Sequence, residues 1–182
     1  ERMREAEALA GSLNDQGRLG QVSAYLSGYF VQAGDDALQA IETGQRALAI
    51  ASAIDDLSLK IQANHFLGSA YYRRGEYDRA IEHFRGNVDS LVGDQIYERF
   101  GLVFLASVGS RYQLVLLFSD RGEFTEASIH ANEVVRIAEV FNHPYNLYTA
   151  YFALGCMHLR KGAIDKAIAA LERSLELCRS WD

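Results

Sequence analysis

The chain is short of several residue types, and each shortage excludes something. It has one proline in 182 residues. Proline breaks helix interiors, so its near absence leaves long helices free to form. Runs alternating in the manner of strands are also scarce, and together these favour an all-α fold. There are two cysteines, Cys156 and Cys178, and no Cys-x-x-Cys pair. A disulfide framework and a zinc site therefore lack support, and a reducing cytoplasm is the expected compartment. No apolar run approaches the roughly 20 residues of a membrane span, and no signal peptide opens the chain. Positive charge is in deficit too. The formal net charge of −6 argues against a phosphate-binding surface and hence against direct nucleic-acid binding. The sequence opens at Glu1 inside a helical pattern, and we read it as a piece of a larger protein.

What is present is a repeat. With 49% hydrophobic residues the chain can bury a sizeable core, and a short phrase recurs along it four times. The copies run from Gly34-Asp35 to Ala40-Ile41, from Gly75-Glu76-Tyr77 to Ala80-Ile81, from Gly122-Glu123-Phe124 to Ala127, and from Gly162 to Ala167-Ile168. The alanines are spaced by 40, 47 and 40 residues. A period of this size means one supersecondary unit stacked several times, which moves the search for function from a pocket to an extended surface.

Helical periodicity is nearly continuous and is broken by glycine or by Asn and Asp. The reading is one domain over 1–182: a leading helix at 1–14, then repeats at about 18–54, 57–92, 93–141 and 145–180. The leading helix carries Ala6, Leu9, Ala10 and Leu13 on one face. Within each repeat Gly34, Gly75, Gly122 or Gly162 supplies the positive φ that ends one helix and folds the next back. Asp35, Asp36, Asp55 and Asp56 fall at helix starts, where they favour the macrodipole. Twelve residues before each key alanine stands Gly28, Gly68, Val115 or Gly155. We expect these small positions to face the alanines across a close helix contact, flanked by large groups such as Leu67, Tyr71, Phe84, Leu114, Phe118, Leu154, Ile164 and Leu171.

These positions resemble the tetratricopeptide repeat (TPR) signature. Gly68, Tyr71, Gly75, Tyr77, Ala80 and Phe84 carry it, and Gly155, Gly162, Ala167 and Leu171 repeat it. The tryptophan of that signature is absent, with Ala24, Asn64, Arg111 and Tyr151 in its place. The lengthened period is similar to repeats of bacterial signalling proteins, such as LuxR/MalT-type activators and ATPase or nucleotide-cyclase proteins. The resemblance implies a right-handed α-solenoid of four helix pairs plus one leading helix. It further implies a non-catalytic scaffold that binds a protein, a peptide or the parent protein's own ATPase or output domain.

If the first helices line a groove, it carries Tyr25, Tyr29 and Gln32, then Gln62, His65, Ser69, Tyr72 and Arg73, then Tyr112, Leu116 and Asp120, then Phe152, Leu159 and Arg160. Aromatic groups with Arg and Gln suit an extended peptide or a helix. The same aromatics could instead only fill a narrow superhelix. Two other classes stay open: a self-association module pairing through the leading helix or the end near Trp181, and a small-molecule or signal-peptide receptor. Seven extra residues around 93–105 suggest a short helix, a turn and an apolar segment. This is either a connection with its own packing or a lip that interrupts the groove.

Catalytic readings are weak. No two of His65, His83, His130, His143 and His158 are spaced as helical metal ligands. Glu126 precedes His130 by four residues, and we read the two as a polar pair on a solvated face. Cys156 lacks a basic activator in sequence and reads as a small packed hydrophobe. No phosphate-loop motif occurs, and Lys161-Gly162 reads as a helix end. We expect no cofactor, no metal and no active site.

Overall fold

The computed structural model describes residues 2–34 and 36–180. Asp35 and Trp181, which entered the sequence reading, lie outside the described residues. Every regular element among the described residues is helical. In chain order these are α1 (Arg2–Ser12), α2 (Gln16–Ala33), α3 (Ala37–Ala53), α4 (Leu57–Arg73) and α5 (Tyr77–Ser90), a 3-10 helix (Gly93–Tyr97), then α6 (Ala106–Asp120), α7 (Phe124–Phe141), α8 (Pro144–Arg160) and α9 (Ile164–Arg179). The fold class is all-α, as the periodicity and the single proline imply.

Local chemistry sets these boundaries. Asp15, Asp36 and Asp56 accept backbone N–H groups of Arg18, Gln39 and Leu59 at 3.0, 2.9 and 3.0 Å, satisfying donors that a helix start leaves open. At the turns Gly75, Gly122 and Gly162 have φ of 75°, 75° and 77°. In each turn the following residue donates back five positions, Glu76 to Tyr71, Glu123 to Phe118 and Ala163 to His158, at 2.8–3.0 Å. This is the Schellman closure, and it needs a left-handed residue that glycine adopts without strain. Pro144 opens α8, where its missing N–H is no loss.

Contacts divide the chain into two compact units, Glu1–Gly86 and Asn87–Asp182. In the first, α2 pairs with α3 and α3 with α4, α2 also touches α4, and α1 lies on α2. Ala24, Ala47, Ala51, Leu59 and Ala63 form its core. In the second, α6 pairs with α7 and α8 with α9, α7 packs on α8, and the first helices α6 and α8 touch. Leu105, Val108, Val134, Ile137, Ala138 and Ala150 form that core, with Ile96 and Tyr97 of the 3-10 helix against it.

The close contact at the small positions is real, and at Gly68 and Gly155 one of the expected flanking groups makes it. A Cβ on Gly68 would lie 2.7 Å from the Phe84 ring, and one on Gly155 would lie 2.6 Å from Leu171 Cγ. Gly28 receives the ring of Phe66 on α4 in the same way. The glycine is thus a hole for a large side chain, and Ala40, Ala80, Ala127 and Ala167 are buried within the helix contacts. Two apolar expectations fail. On α1 only Ala10 is buried, with Leu9 and Leu13 about 60% and 61% exposed, because among the described residues α2 is the helix α1 packs on. Ile164 starts α9 at the surface.

The inserted stretch packs. Phe100 and Gly101 take positive φ in a tight turn. Leu102 and Leu105 are buried while Val103 points outward. The Leu105 N–H donates to Asn146 Oδ1 at 3.1 Å, and Ser107 Oγ donates to the Ile96 carbonyl at 2.5 Å. The Phe104 ring stacks on Tyr145 at 6.1 Å and occupies the space a Cβ on Gly109 would need. The segment is a connection with its own packing.

Candidate functional site

The first helices present two surfaces, one in each unit. In the first unit Tyr25, Tyr29 and Gln32 follow one another at helical spacing on α2, and all three are exposed. With Val22, Gly28 and Phe66, and with Arg2, Met3 and Ala6 of α1, they line a cleft of about 470 Å³. Its walls are mostly apolar. The remaining first-unit candidates go two ways. Tyr72 is half-buried, its ring 5.7 Å from Tyr77, and Arg73 is exposed at the end of α4.

Gln62 and His65 do not face solvent. Gln62 is almost fully buried and accepts from Gln21 Nε2 at 3.4 Å, with its own amide directed to Ser58. His65 sits edge-on to Phe66 and Phe84 at 5.6 and 5.8 Å, and burial holds its imidazole down at about 4, hence neutral. Both sit where α4 meets its neighbours, a contact their spacing along the helix does not reveal.

In the second unit Tyr112 and Phe152 face one another across α6 and α8, with ring centroids 6.3 Å apart. Tyr145 and Tyr148 extend this group at 5.0 Å. Burial, then charge repulsion from Cys156 and Tyr148, raises the Tyr112 hydroxyl, and burial with a hydrogen bond to Tyr148 takes Tyr145 to about 12. These phenols stay protonated at neutral pH. At the other end of the helices Arg160 pairs with Asp120 at 2.5 Å. Leu159 is exposed, whereas Leu116 is buried between α6 and its partners and offers no surface.

The groups considered for chemistry remain unactivated. Burial raises the Cys156 thiol, and Arg160 only partly offsets it, so the thiolate is disfavoured. His130 corrects the sequence reading, because it is buried and not on a solvated face. Its ring lies flat on Phe118 at 5.7 Å with Arg111 at 3.3 Å. Among the described residues no cluster of three or more metal-ligating side chains occurs.

Models of the tetratricopeptide repeat match residues 63–96 and residues 148–180. Residues 63–96 and 148–180 are tetratricopeptide repeats. The matches fall on the stretches where Gly68 with Phe84 and Gly155 with Leu171 make the glycine-and-knob contact, one in each unit. The fold is thus of the all-α TPR solenoid class. TPR repeats generally mediate protein–protein interaction and are generally non-catalytic. No curated protein matches the chain. No helix among the described residues is long and apolar enough to cross a membrane.

Sequence reasoning missed Val22, Phe66, Met3 and Ala6 in the cleft, and Phe104, Tyr145 and Tyr148 in the second unit. For the tyrosines the signal was available, since Tyr148 precedes Phe152 by one helical turn. For Phe66 it was not, because its relation to Gly28 joins different helix pairs.

Proposed function

We propose that this chain is a protein- or peptide-binding TPR scaffold, and that it serves as a regulatory or sensor module of a larger bacterial signalling protein. The observation that carries the binding reading is the exposure of aromatic side chains on first helices: Tyr25 and Tyr29 on α2 and Phe152 on α8. Core-filling would have buried them. Rigid aromatic rings offer contact area at small entropic cost, and Gln32, Arg73 and the Asp120–Arg160 pair offer orientation. The regulatory role rests on the likeness of the lengthened repeats to those of bacterial activators and cyclases. Its occupant is a partner protein, a peptide or the parent's own output domain, met in the cytoplasm.

The test is affinity capture from a bacterial lysate, with the Tyr29→Ala and Phe152→Ser variants as controls. A protein held by the wild type and lost from a variant whose melting temperature is unchanged supports the reading. Equal capture by all three, or none by any, overturns it.

A second reading is self-association. Ile164, Ile168 and Leu175 lie along one side of α9, and each is about half exposed, which makes an apolar stripe at helical spacing. Light scattering decides it: a monomer mass independent of concentration removes this reading.

A further inference from the structure

Resting on the scaffold reading, we infer that the cleft between α1 and α2 is the anchor site of the partner, and that it takes one bulky apolar side chain flanked by carboxylates. The cleft volume, about 470 Å³, falls in the range of small-ligand pockets, roughly 300–1,000 Å³, but its outer side is open. An open cleft suits a side chain offered by another chain. Its floor is built by the missing side chain at Gly28, which admits the Phe66 ring. Tyr25, Tyr29 and Val22 form one wall, and Met3 and Ala6 of α1 form the other.

Among the described residues, the charge lining it has one sign. A second hollow of about 400 Å³, sharing Arg2, Met3 and Tyr29 with the cleft, adds Arg4, Leu26 and Phe30. Among the described residues, Arg2 and Arg4 are the charged groups of the two linings, and no carboxylate lines either. Of the nearby acids on α1, Glu7 is engaged by Arg46 and Glu5 lies off both linings. On a chain of net charge −6, an apolar cleft rimmed by two arginines selects an acidic partner segment. Desolvation of the anchor supplies affinity, and the arginines supply register and rate.

The test selects 12-residue peptides from a random display library on the whole chain. Enriched peptides are then synthesised with fluorescein and titrated by anisotropy. The expected motif is a Trp, Phe or Leu next to Asp or Glu. Affinity drops at least tenfold in Ala6→Phe, which fills the cleft from an exposed position. It drops severalfold in the Arg2→Gln/Arg4→Gln double variant, with a shallower salt dependence. Circular dichroism checks that α1 and the fold are retained. Enriched peptides that ignore both variants but are lost in Phe152→Ser overturn this inference and leave the scaffold reading standing. Enrichment of no peptide overturns both. Self-association of the wild type that Ala6→Phe abolishes assigns the cleft to a second copy and overturns the inference as well.

Discussion

The imidazole of His83 lies flat on the ring of Tyr71, with centroids 5.5 Å apart and planes 2° from parallel. Its Nδ1 is 3.0 Å from Asn64 Oδ1, and the Arg79 guanidinium stands 5.4 Å from the same tyrosine ring. Phe118, His130 and Arg111 repeat the arrangement 47 residues later, again with planes 2° from parallel. Asn64 and Arg111 occupy the positions where the TPR signature has tryptophan. An imidazole reaching across from the second helix, stacked on an aromatic ring, supplies the flat bulk which that tryptophan would have brought.

Replacing His83 with alanine should therefore weaken the α4–α5 pair. A stacked aromatic pair contributes about 0.5–1.5 kcal/mol beyond area burial, so the loss should exceed that of an ordinary half-buried residue. Urea unfolding should show a lower midpoint with an unchanged slope.

Stability should fall on mild acidification. The folded-state value of His65 is depressed to about 4 from 6.5 by burial, so the unfolded chain binds the proton first. The contribution is whole above pH 6.5 and drains away as pH falls towards 4. It amounts to about 2 kcal/mol between pH 7 and pH 5, above the range where most carboxylates titrate. His83 and His158 are shifted the same way, His83 by burial and His158 by burial and nearby lysines. Denaturant midpoints followed against pH should slope steeply in the wild type and less so in His65→Leu. Equal slopes would remove His65 from this account.

Gly68→Ala should be destabilising by about 1–3 kcal/mol, because its Cβ would meet the Phe84 ring at 2.7 Å in a fully buried contact. A thermal melt reads the effect directly.

Gly86→Ala should do the reverse. Gly86 lies inside α5, and a Cβ there would meet only Asn64 Nδ2, at 3.8 Å. An interior helical glycine costs about 0.5–1 kcal/mol relative to alanine, so the variant should gain that amount. The two glycine variants, measured together, separate packing from backbone propensity.

The sequence disclosed most where the cause is local. The Asp caps and the turn glycines act on residues within one helical turn, and the turns fall at the glycines the repeat marked. Legibility declined where a side chain meets another helix pair. Gln62, His65 and Leu116 have the spacing of surface residues and are buried, because packing against neighbouring helices decides exposure. Phe66 filling the place beside Gly28 is a relation across 38 positions that no short pattern encodes. The aromatic row of the second unit was half visible, with Phe152 and Tyr112 found from the repeat offset and Phe104 hidden in the insertion. His130 was misplaced because its role depends on Phe118 lying beneath it.

The closed turns at Gly75, Gly122 and Gly162 also bear on how the chain acquires its structure. Each joins two helices that are adjacent in sequence, so much of the buried surface forms between segments separated by a few residues. Little loop entropy is lost before those contacts begin to pay back. Such local pairing favours fast formation of each hairpin. On a ribosome, each hairpin closes soon after its second helix emerges.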